Sequence, residues 1–363
     1  MKKTIALVLA LAMILGLSSC GEGIANTAVR PINDIVLSKT NKTDSVDSEK
    51  PFPGDKFINP LSGELTDVDL SKKRPIGFMN NNISAGTPQH GISNAEIVFE
   101  MNAEGNITRF LTVYQNLPND GTRVGSIRSA RPYYLDWVLA LDAILVRAGG
   151  SATADRNIIN RKVTNVNALV AGLPTFYREQ ERLKAGYAWE HTLFTTGKLL
   201  NGYLASVKNL RTTHNDGFKS SLKFSNIAQT SGGAAATEIT VKMNATKKTQ
   251  FKYDPESKKY LLHEYNKDMT DGNTKEKLYV KNVLVLYTRY WREYAGSVTF
   301  LADMSGGKGK YACEGKIIDI TWSRTDAGGL ILKKADGSAL TLAVGHSFVC
   351  CPDSSSGSVS LKW

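Results

Sequence analysis

Five arginines, Arg109, Arg123, Arg128, Arg131 and Arg147, fall in one stretch, and Glu96, Glu100 and Glu104 come just before or among them. Guanidinium groups grip carboxylates and phosphates through paired N–H donors, so the cluster points either to an anion site or to internal ion pairs. Arg128 and Arg131 stand in Arg123-Val-Gly-Ser-Ile-Arg-Ser-Ala-Arg-Pro132, just before an expected helix. Gly149-Gly150-Ser151 stands just before a second one. Helix N-termini carry free N–H groups and about half a positive charge, which suits a phosphate, pyrophosphate or carboxylate. Arg109, Arg128, Ser129, Arg131, Gly149, Gly150 and Ser151 are therefore the candidate ligand-binding residues. The competing reading pairs the arginines with Asp136, Asp142, Asp155 or the glutamates. Neither the GGS turn nor RxxRP is a specific motif, and no GK[ST] ending marks a Walker loop.

Glu100, Glu104 and His191 are the candidate acid–base residues. A carboxylate pair is the equipment of glycoside cleavage, and histidine titrates near neutrality. His191 lies in Trp189-Glu-His-Thr-Leu-Phe194, where a structural hydrogen bond is the plainer reading. HExxH and GxSxG are absent, so no motif names a reaction. No CxxC spacing is present, and neither a metal nor a cofactor is expected.

The elements that must position these residues are legible in part. Glu96–Asn102 and Ile107–Gln115 read as a hairpin around Ala103-Glu-Gly-Asn106, because Gly and Asn tolerate the positive φ of a tight reversal. Ile107, Arg109, Leu111 and Val113 then share one face, with Thr108, Phe110, Thr112 and Tyr114 on the other. In that hairpin Glu96 or Glu100 is the expected partner of Arg109. Arg74–Met79 reads as a buried strand followed by an Asn80-Asn81-Asn82 turn. A helix is expected over residues 132–141, capped by Ser129, then a strand over 143–148 and a helix over 153–160. If the strands before these helices run parallel, both helix starts open on one sheet edge, where ligands commonly bind. Thr196 is the expected cap of a helix over 197–207.

Beyond residue 236 the pattern is short alternating runs divided by turns such as Ala335-Asp-Gly-Ser338. The expected fold class is α+β or α/β: a mixed α/β N-terminal domain over 56–220, a linker or long loop over 221–236, and an antiparallel β-rich C-terminal domain over 237–363. The latter is expected as a small barrel or sandwich. Tyr287, Tyr290, Trp291, Tyr294, Tyr311 and Trp322 would either line a carbohydrate groove there or fill its core.

The first twenty residues read as a signal peptide: Lys2 and Lys3, an apolar run too short to span as a finished helix, then Leu17-Ser18-Ser19-Cys20. The last four resemble a bacterial lipobox, with Cys20 as the lipidated residue. Two acyl chains would anchor the protein stably, at about 0.8 kcal/mol per buried CH₂. Residues 21–55 read as a flexible tether. The net charge of +11 favours anionic partners, although a solvated basic surface with no specific partner is the plainer explanation of net charge alone. Nucleic acid is not an expected partner, because no recognisable module appears. Cys313, Cys350 and Cys351 remain, and a bridge from Cys313 to either of the others is open on spacing alone.

Several segments taken together resemble the YerB-like bacterial lipoproteins. They include Asn59-Pro-Leu-Ser-Gly63, Ala95-Glu96-Ile-Val-Phe-Glu100, Glu104-Gly-x-Ile-Thr-Arg109-Phe and Val124-Gly-Ser-Ile-Arg128-Ser-Ala-Arg131-Pro. Ala148-Gly-Gly-Ser151, Phe176-Tyr-Arg178, Glu190-His191-Thr-Leu-Phe-Thr and Gly309-x-Tyr-x-Cys-Glu-Gly315 continue the likeness in order. Val349-Cys350-Cys351 departs from the family pattern. The resemblance implies a lipoprotein signal, an α/β-type first part and a β-rich second part, and supplies no reaction. The expected function is a membrane-anchored protein on the extracytoplasmic face, binding an anionic or glycan component of the envelope. The alternatives are an enzyme acting on envelope phosphates or glycans, and a scaffold for envelope proteins.

Overall fold

The structure, a computed structural model, describes residues 45–46, 56–325 and 328–362. Cys20 and the expected signal peptide lie outside the described residues. Strands dominate and the helices are few and short. No described helix is long and apolar enough to cross a membrane.

An eleven-stranded sheet runs through the chain. Its strands from the first half are β1 (Ile76–Asn82), β2 (Ile97–Asn102), β3 (Thr108–Tyr114), β4 (Ile144–Arg147) and β5 (Asn165–Asn167). The second half first supplies a hairpin and its neighbour: β6 (Glu238–Lys242), β7 (Lys248–Asp254) and β8 (Lys259–Glu264). These belong to a separate six-stranded sheet. It then returns to the large sheet with β9 (Asn282–Leu286), β10 (Gly306–Cys313), β11 (Lys316–Arg324) and β12 (Ser347–Cys351). β13 (Ser358–Lys362) closes on β6. The large sheet reads Ala234–Ala235, β11, β10, β9, β12, β2, β3, β1, β4, β5, with Leu330–Lys334 beside β11. Segments 56–220 and 237–363 thus share one sheet, joined where β12 runs parallel to β2 with Cys350 opposite Glu100. Within the span expected to be a tether, Ser45–Val46 pairs with Phe224–Ser225.

Period-two alternation sends the residues of β2 to two different cores. Ile97, Phe99 and Met101 join α1 (Tyr134–Ala140) and α2 (Ala152–Asn160) on one face. Trp137 of α1 stacks on Phe99 with ring centroids 4.6 Å apart, a contact worth about 0.5–1.5 kcal/mol beyond its area burial. On the other face Val98 and Phe110 meet Val241, Phe251 and Leu262 of the six-stranded sheet. Phe348 of β12 packs edge-on between Phe110 and Phe251. Because both faces are covered, every residue of β1, β2 and β3 is buried, polar ones included.

The expected hairpin is present, with Met101 opposite Arg109 and Gly105 and Asn106 at positive φ of 64° and 60°. Other expectations are corrected. Asn80, Asn81 and Asn82 do not turn; they continue β1. Asparagine favours turns because its amide competes for the backbone, but here each amide finds a buried partner instead. Asn80 donates to Thr112 Oγ1, Asn81 meets His191, and Asn82 reaches Glu100 and Thr108. Ser129 caps nothing: Tyr133 begins α1 without a side-chain cap. The two helix starts do lie side by side, because Ala130 ahead of α1 is bridged in parallel to Gly150 ahead of α2, although the regular strands that precede them belong to different sheets. The strand before α1, Arg123–Gly125, belongs to a three-stranded sheet with Tyr177–Arg178 and Leu193–Thr196, whereas β4 leads into α2 from the large sheet. Strand–helix–strand layering is seen at β4–α2–β5, where β4 and β5 are parallel. Thr196 does cap its helix, accepting from Leu199 N at the start of α3 (Gly197–Ser206).

The aromatic residues of the second half do not assemble into one groove. Tyr311 and Trp322 lie in the core, while Trp291 and Tyr294 are exposed. Cys313, Cys350 and Cys351 are buried and free, so no bridge joins them. Cys350 and Cys351 face opposite cores, as neighbours on a strand must.

Candidate functional site

The expected arginine cluster exists, and much of it is internally paired. Arg109 and Arg131 both close on Glu104. Arg131 does so with two bonds, Nε to Oε2 at 2.8 Å and Nη2 to Oε1 at 2.6 Å, the forked geometry that guanidinium favours. Arg109 also donates to the Ser129 carbonyl. Burial raises the pKa of Glu104, yet Arg109 and Arg131 pull it below the ordinary carboxylate range. The partner of Arg109 is thus Glu104, not Glu96 or Glu100. Glu96 instead accepts from Asn59 and from the Gln115 N–H.

The turn at Gly149–Ser151 is likewise occupied. Gly149 N–H donates to Asn167 Oδ1, Ser151 N–H to the Ala130 carbonyl, and Ser151 Oγ accepts from Ala154 N. Arg147 pairs with Asp155 at 2.5 Å. These contacts bind the segment 128–131 against 148–151 and hold Arg128 at the surface.

Arg128 opens onto a cleft of about 180 Å³, lined also by Ser129, Leu169, Arg178, Trp189 and Glu190. Drug-sized ligands occupy pockets of about 300–1,000 Å³, so this space suits a head group such as phosphate or carboxylate. Arg128 donates to the Glu190 carbonyl, and its Nε is buried without a protein partner. Arg178 donates to the Trp189 carbonyl at 2.7 Å, and its guanidinium lies 4.2 Å from the Trp189 ring centroid. The strand register Arg178↔Leu193 brings Arg178 alongside the Trp189–His191 turn. His191 itself is buried beneath the cleft, with Asn81 Nδ2 donating to its Nδ1 at 2.9 Å. Burial and Arg128 hold its pKa below the ordinary imidazole value, so it is neutral at physiological pH. A larger open groove of about 700 Å³ lies elsewhere, along Ile227–Ala234 and β11, and contains none of the candidate residues.

Glu100 enters a different constellation, between the two sheets. Lys247 Nζ lies 2.8 Å from Glu264 Oε1 and 3.4 Å from Glu100 Oε1. Thr249 and Thr108 each donate to Glu100 at 2.6 Å, and Asn82 donates to it at 3.0 Å. The Tyr265 ring covers the ammonium at 4.7 Å. All three charges are buried, and two carboxylates share one cation. For Glu264, burial raises the pKa, Lys247 lowers it and Glu100 raises it again; the outcome is about 7.

This raised pKa sets a pH dependence with a definite sign. Below an ordinary value of 4.5, Glu264 is protonated in folded and unfolded chains alike. Between there and about 7 the unfolded chain releases the proton and the native chain keeps it, so stability declines across that window and levels off above it. The contribution is on the order of 3 kcal/mol. Urea midpoints from pH 4 to 8 should fall for wild type and fall less for Glu264→Gln. Parallel curves would exclude Glu264 as the titrating group.

Residues 61–211 match the family described as Protein of unknown function (DUF3048) N-terminal domain, and residues 239–349 match its C-terminal domain. The chain belongs to the DUF3048 family. A Bacillus subtilis (strain 168) protein named as a lipoprotein, YerB, is 26% identical over 319 residues, covering 85% of this chain and 91% of the relative. The crystal structure of the YerB protein from Bacillus subtilis superposes with a TM-score of 0.71 at 24% identity, over 84% of this chain and all of that one, which supports the fold.

The two DUF3048 parts divide the sites differently. The Arg128–Arg178–Trp189 cleft falls within the N-terminal match, as does the Glu104 clamp. The buried charged triad draws Glu100 from the N-terminal match and Lys247 and Glu264 from the C-terminal one. Sequence reasoning passed over Arg178 and Trp189 as site residues, although Arg178 stands in a segment that carries the family resemblance and Trp189 just before another. It also passed over Lys247 and Glu264, which are 17 positions apart and meet only through the β7–β8 hairpin.

Proposed function

We propose that this DUF3048 protein is a lipid-anchored component of the cell envelope, tethered through Cys20 on the extracytoplasmic face. Its N-terminal half would bind an anionic glycan in the Arg128–Arg178–Trp189 cleft. The lipobox-like Leu17-Ser-Ser-Cys20 and a relative named as a lipoprotein support the anchoring. The observation that carries the binding is the convergence of two guanidiniums and a largely exposed tryptophan on one cleft of head-group size. Arg128 lines the cleft with its Nη2 3.7 Å from the Glu190 carboxylate, and its buried Nε–H has no protein acceptor. An exposed indole offers a stacking face to a sugar ring. Arg109, Arg131 and the Gly149–Ser151 turn then serve as supports, holding the backbone that presents Arg128 and Ser129. Catalysis by Glu100, Glu104 or His191 has less support, because each is already engaged by buried partners.

A thermal-shift series with glycosyl phosphates, teichoic acid fragments and peptidoglycan fragments tests the reading. A ligand at 100 times its Kd should stabilise the fold by about 2.7 kcal/mol. The shift should vanish in Arg128→Ala/Arg178→Ala and survive in Lys310→Ala, which lines the distant groove. A shift unchanged in the double variant would move the site elsewhere.

A further inference from the structure

The cleft has an apolar rim that a purely soluble anion does not need. Leu169 and Trp189 line it and are 60% and 62% exposed. Val170 and Leu173, on the same short turn, are 82% and 78% exposed. Three large aliphatic side chains displayed on the segment Ala168–Leu173 are unusual on a soluble surface, where apolar residues normally stand singly. They are held out by the local fold. Asn167 caps the four-residue helix Ala168–Ala171, Gly172 N–H returns to the Ala168 carbonyl, and only Ala168 of that helix is buried. Leu169 Cδ1 meanwhile lies against the turn at Gly149, whose backbone pairs with the segment that carries Arg128.

Basic head and apolar rim together match an amphiphile. Resting on the cleft as an anion site, we propose that its ligand is an anionic lipid. The phosphate would engage Arg128 and Arg178, and the hydrocarbon would lie over Leu169, Val170, Leu173 and the Trp189 face. Interfacial tryptophan beside arginine is suited to this boundary, since indole and guanidinium both place an apolar body in the lipid and a polar edge at the head groups. A phosphate on a long chain has two sources, the bulk phospholipid of a bilayer and a polyprenyl phosphate carrying a glycan, and the chemistry recognised is the same.

The test uses the full-length lipidated protein carrying Val170→Cys, labelled with a nitrobenzoxadiazole fluorophore. The native Cys313, Cys350 and Cys351 are buried and will not compete. Val298→Cys, at a position 66% exposed in the C-terminal half, is the control. Each is reconstituted into phosphatidylcholine vesicles, phosphatidylglycerol vesicles, and phosphatidylcholine vesicles doped with a polyprenyl phosphate. The expected result is a several-fold emission rise with a blue shift at position 170, absent at 298 and abolished by Arg128→Ala/Arg178→Ala. A rise in phosphatidylglycerol identifies bulk lipid as the source, and a rise only with polyprenyl phosphate identifies the carrier. A water-like label in both, or an equal rise in phosphatidylcholine alone, overturns the proposal. A soluble glycosyl phosphate in the thermal-shift series separates the two failures. If it still stabilises wild type, the cleft remains an anion site and only the lipid is lost; if it does not, both fall.

Discussion

Replacing Lys247 with methionine should lower the unfolding free energy by about 3–5 kcal/mol, the loss expected when one partner of a buried ion pair is removed. Lys247 is the only cation within ion-pair reach of Glu100 and Glu264 among the described residues, and both carboxylates are fully buried. Without it, two acidic groups would face each other in a low-dielectric interior. Their mutual repulsion would be uncompensated, and protonation of Glu264 would not replace its lost bond to the ammonium. The measurement is urea unfolding at pH 7, read at constant m. Lys247→Met combined with Glu100→Gln and Glu264→Gln should recover most of the loss, because whole buried ion sets can often be neutralised at little cost. A single variant as stable as wild type would show that water reaches the triad.

Glu104→Gln should cost a comparable amount, about 3–5 kcal/mol, for the opposite electrostatic reason. Glu104 is the only carboxylate within ion-pair reach of Arg109 and Arg131 among the described residues, and both arginines are at least nine-tenths buried. The amide keeps the size of the side chain and one acceptor oxygen but leaves two adjacent guanidiniums without a counter-charge. Arg109 cannot turn to solvent, since its backbone is fixed in β3 and its Nη1 is committed to the Ser129 carbonyl. The variant should therefore also loosen Arg128 and Ser129, and ligand-induced thermal shifts should weaken with stability. Glu104→Asp, which keeps the charge on a shorter stem, should lose less. Equal stability of Glu104→Gln and wild type would mean that the clamp is electrostatically idle.

The parts of this fold that were legible in the sequence are those decided locally. The hairpin of β2 and β3 announced itself through Gly105 and Asn106, and Thr196 through its position before an apolar helix. The short alternating runs expected beyond residue 236 include Lys316–Arg324 and Leu330–Lys334, whose pattern faces water on one side. What misled was burial on both faces. Asn80–Asn82 carries the composition of a turn, and only the covering sheet, which is far away in sequence, supplies the partners that let it extend. Of the proposed cleft, residue type alone had singled out Arg128. Its companions were not legible, because Arg178 and Trp189 arrive through a small sheet of long-range pairs. Glu104, read as a candidate acid, is the counter-ion of Arg109 and Arg131, the kind of arginine–glutamate pairing that was the competing reading.

β12 has a consequence for how the molecule is made. Ser347–Cys351 lies parallel between β2 and β9, and its contact with Glu100 spans 250 residues. Non-local parallel pairing is slow to form, because the closure of a long loop precedes any reward. Neither β2 nor β9 can complete its hydrogen bonding until residues 347–351 have been synthesised. A chain cut short before residue 347 would present two unpaired edges, each buried and apolar in the finished molecule, and such edges recruit other strands. Quality control of this protein is thereby written into its topology: the arrival of Ser347–Cys351 decides whether β2 and β9, made earlier, are safe from aggregation and proteolysis.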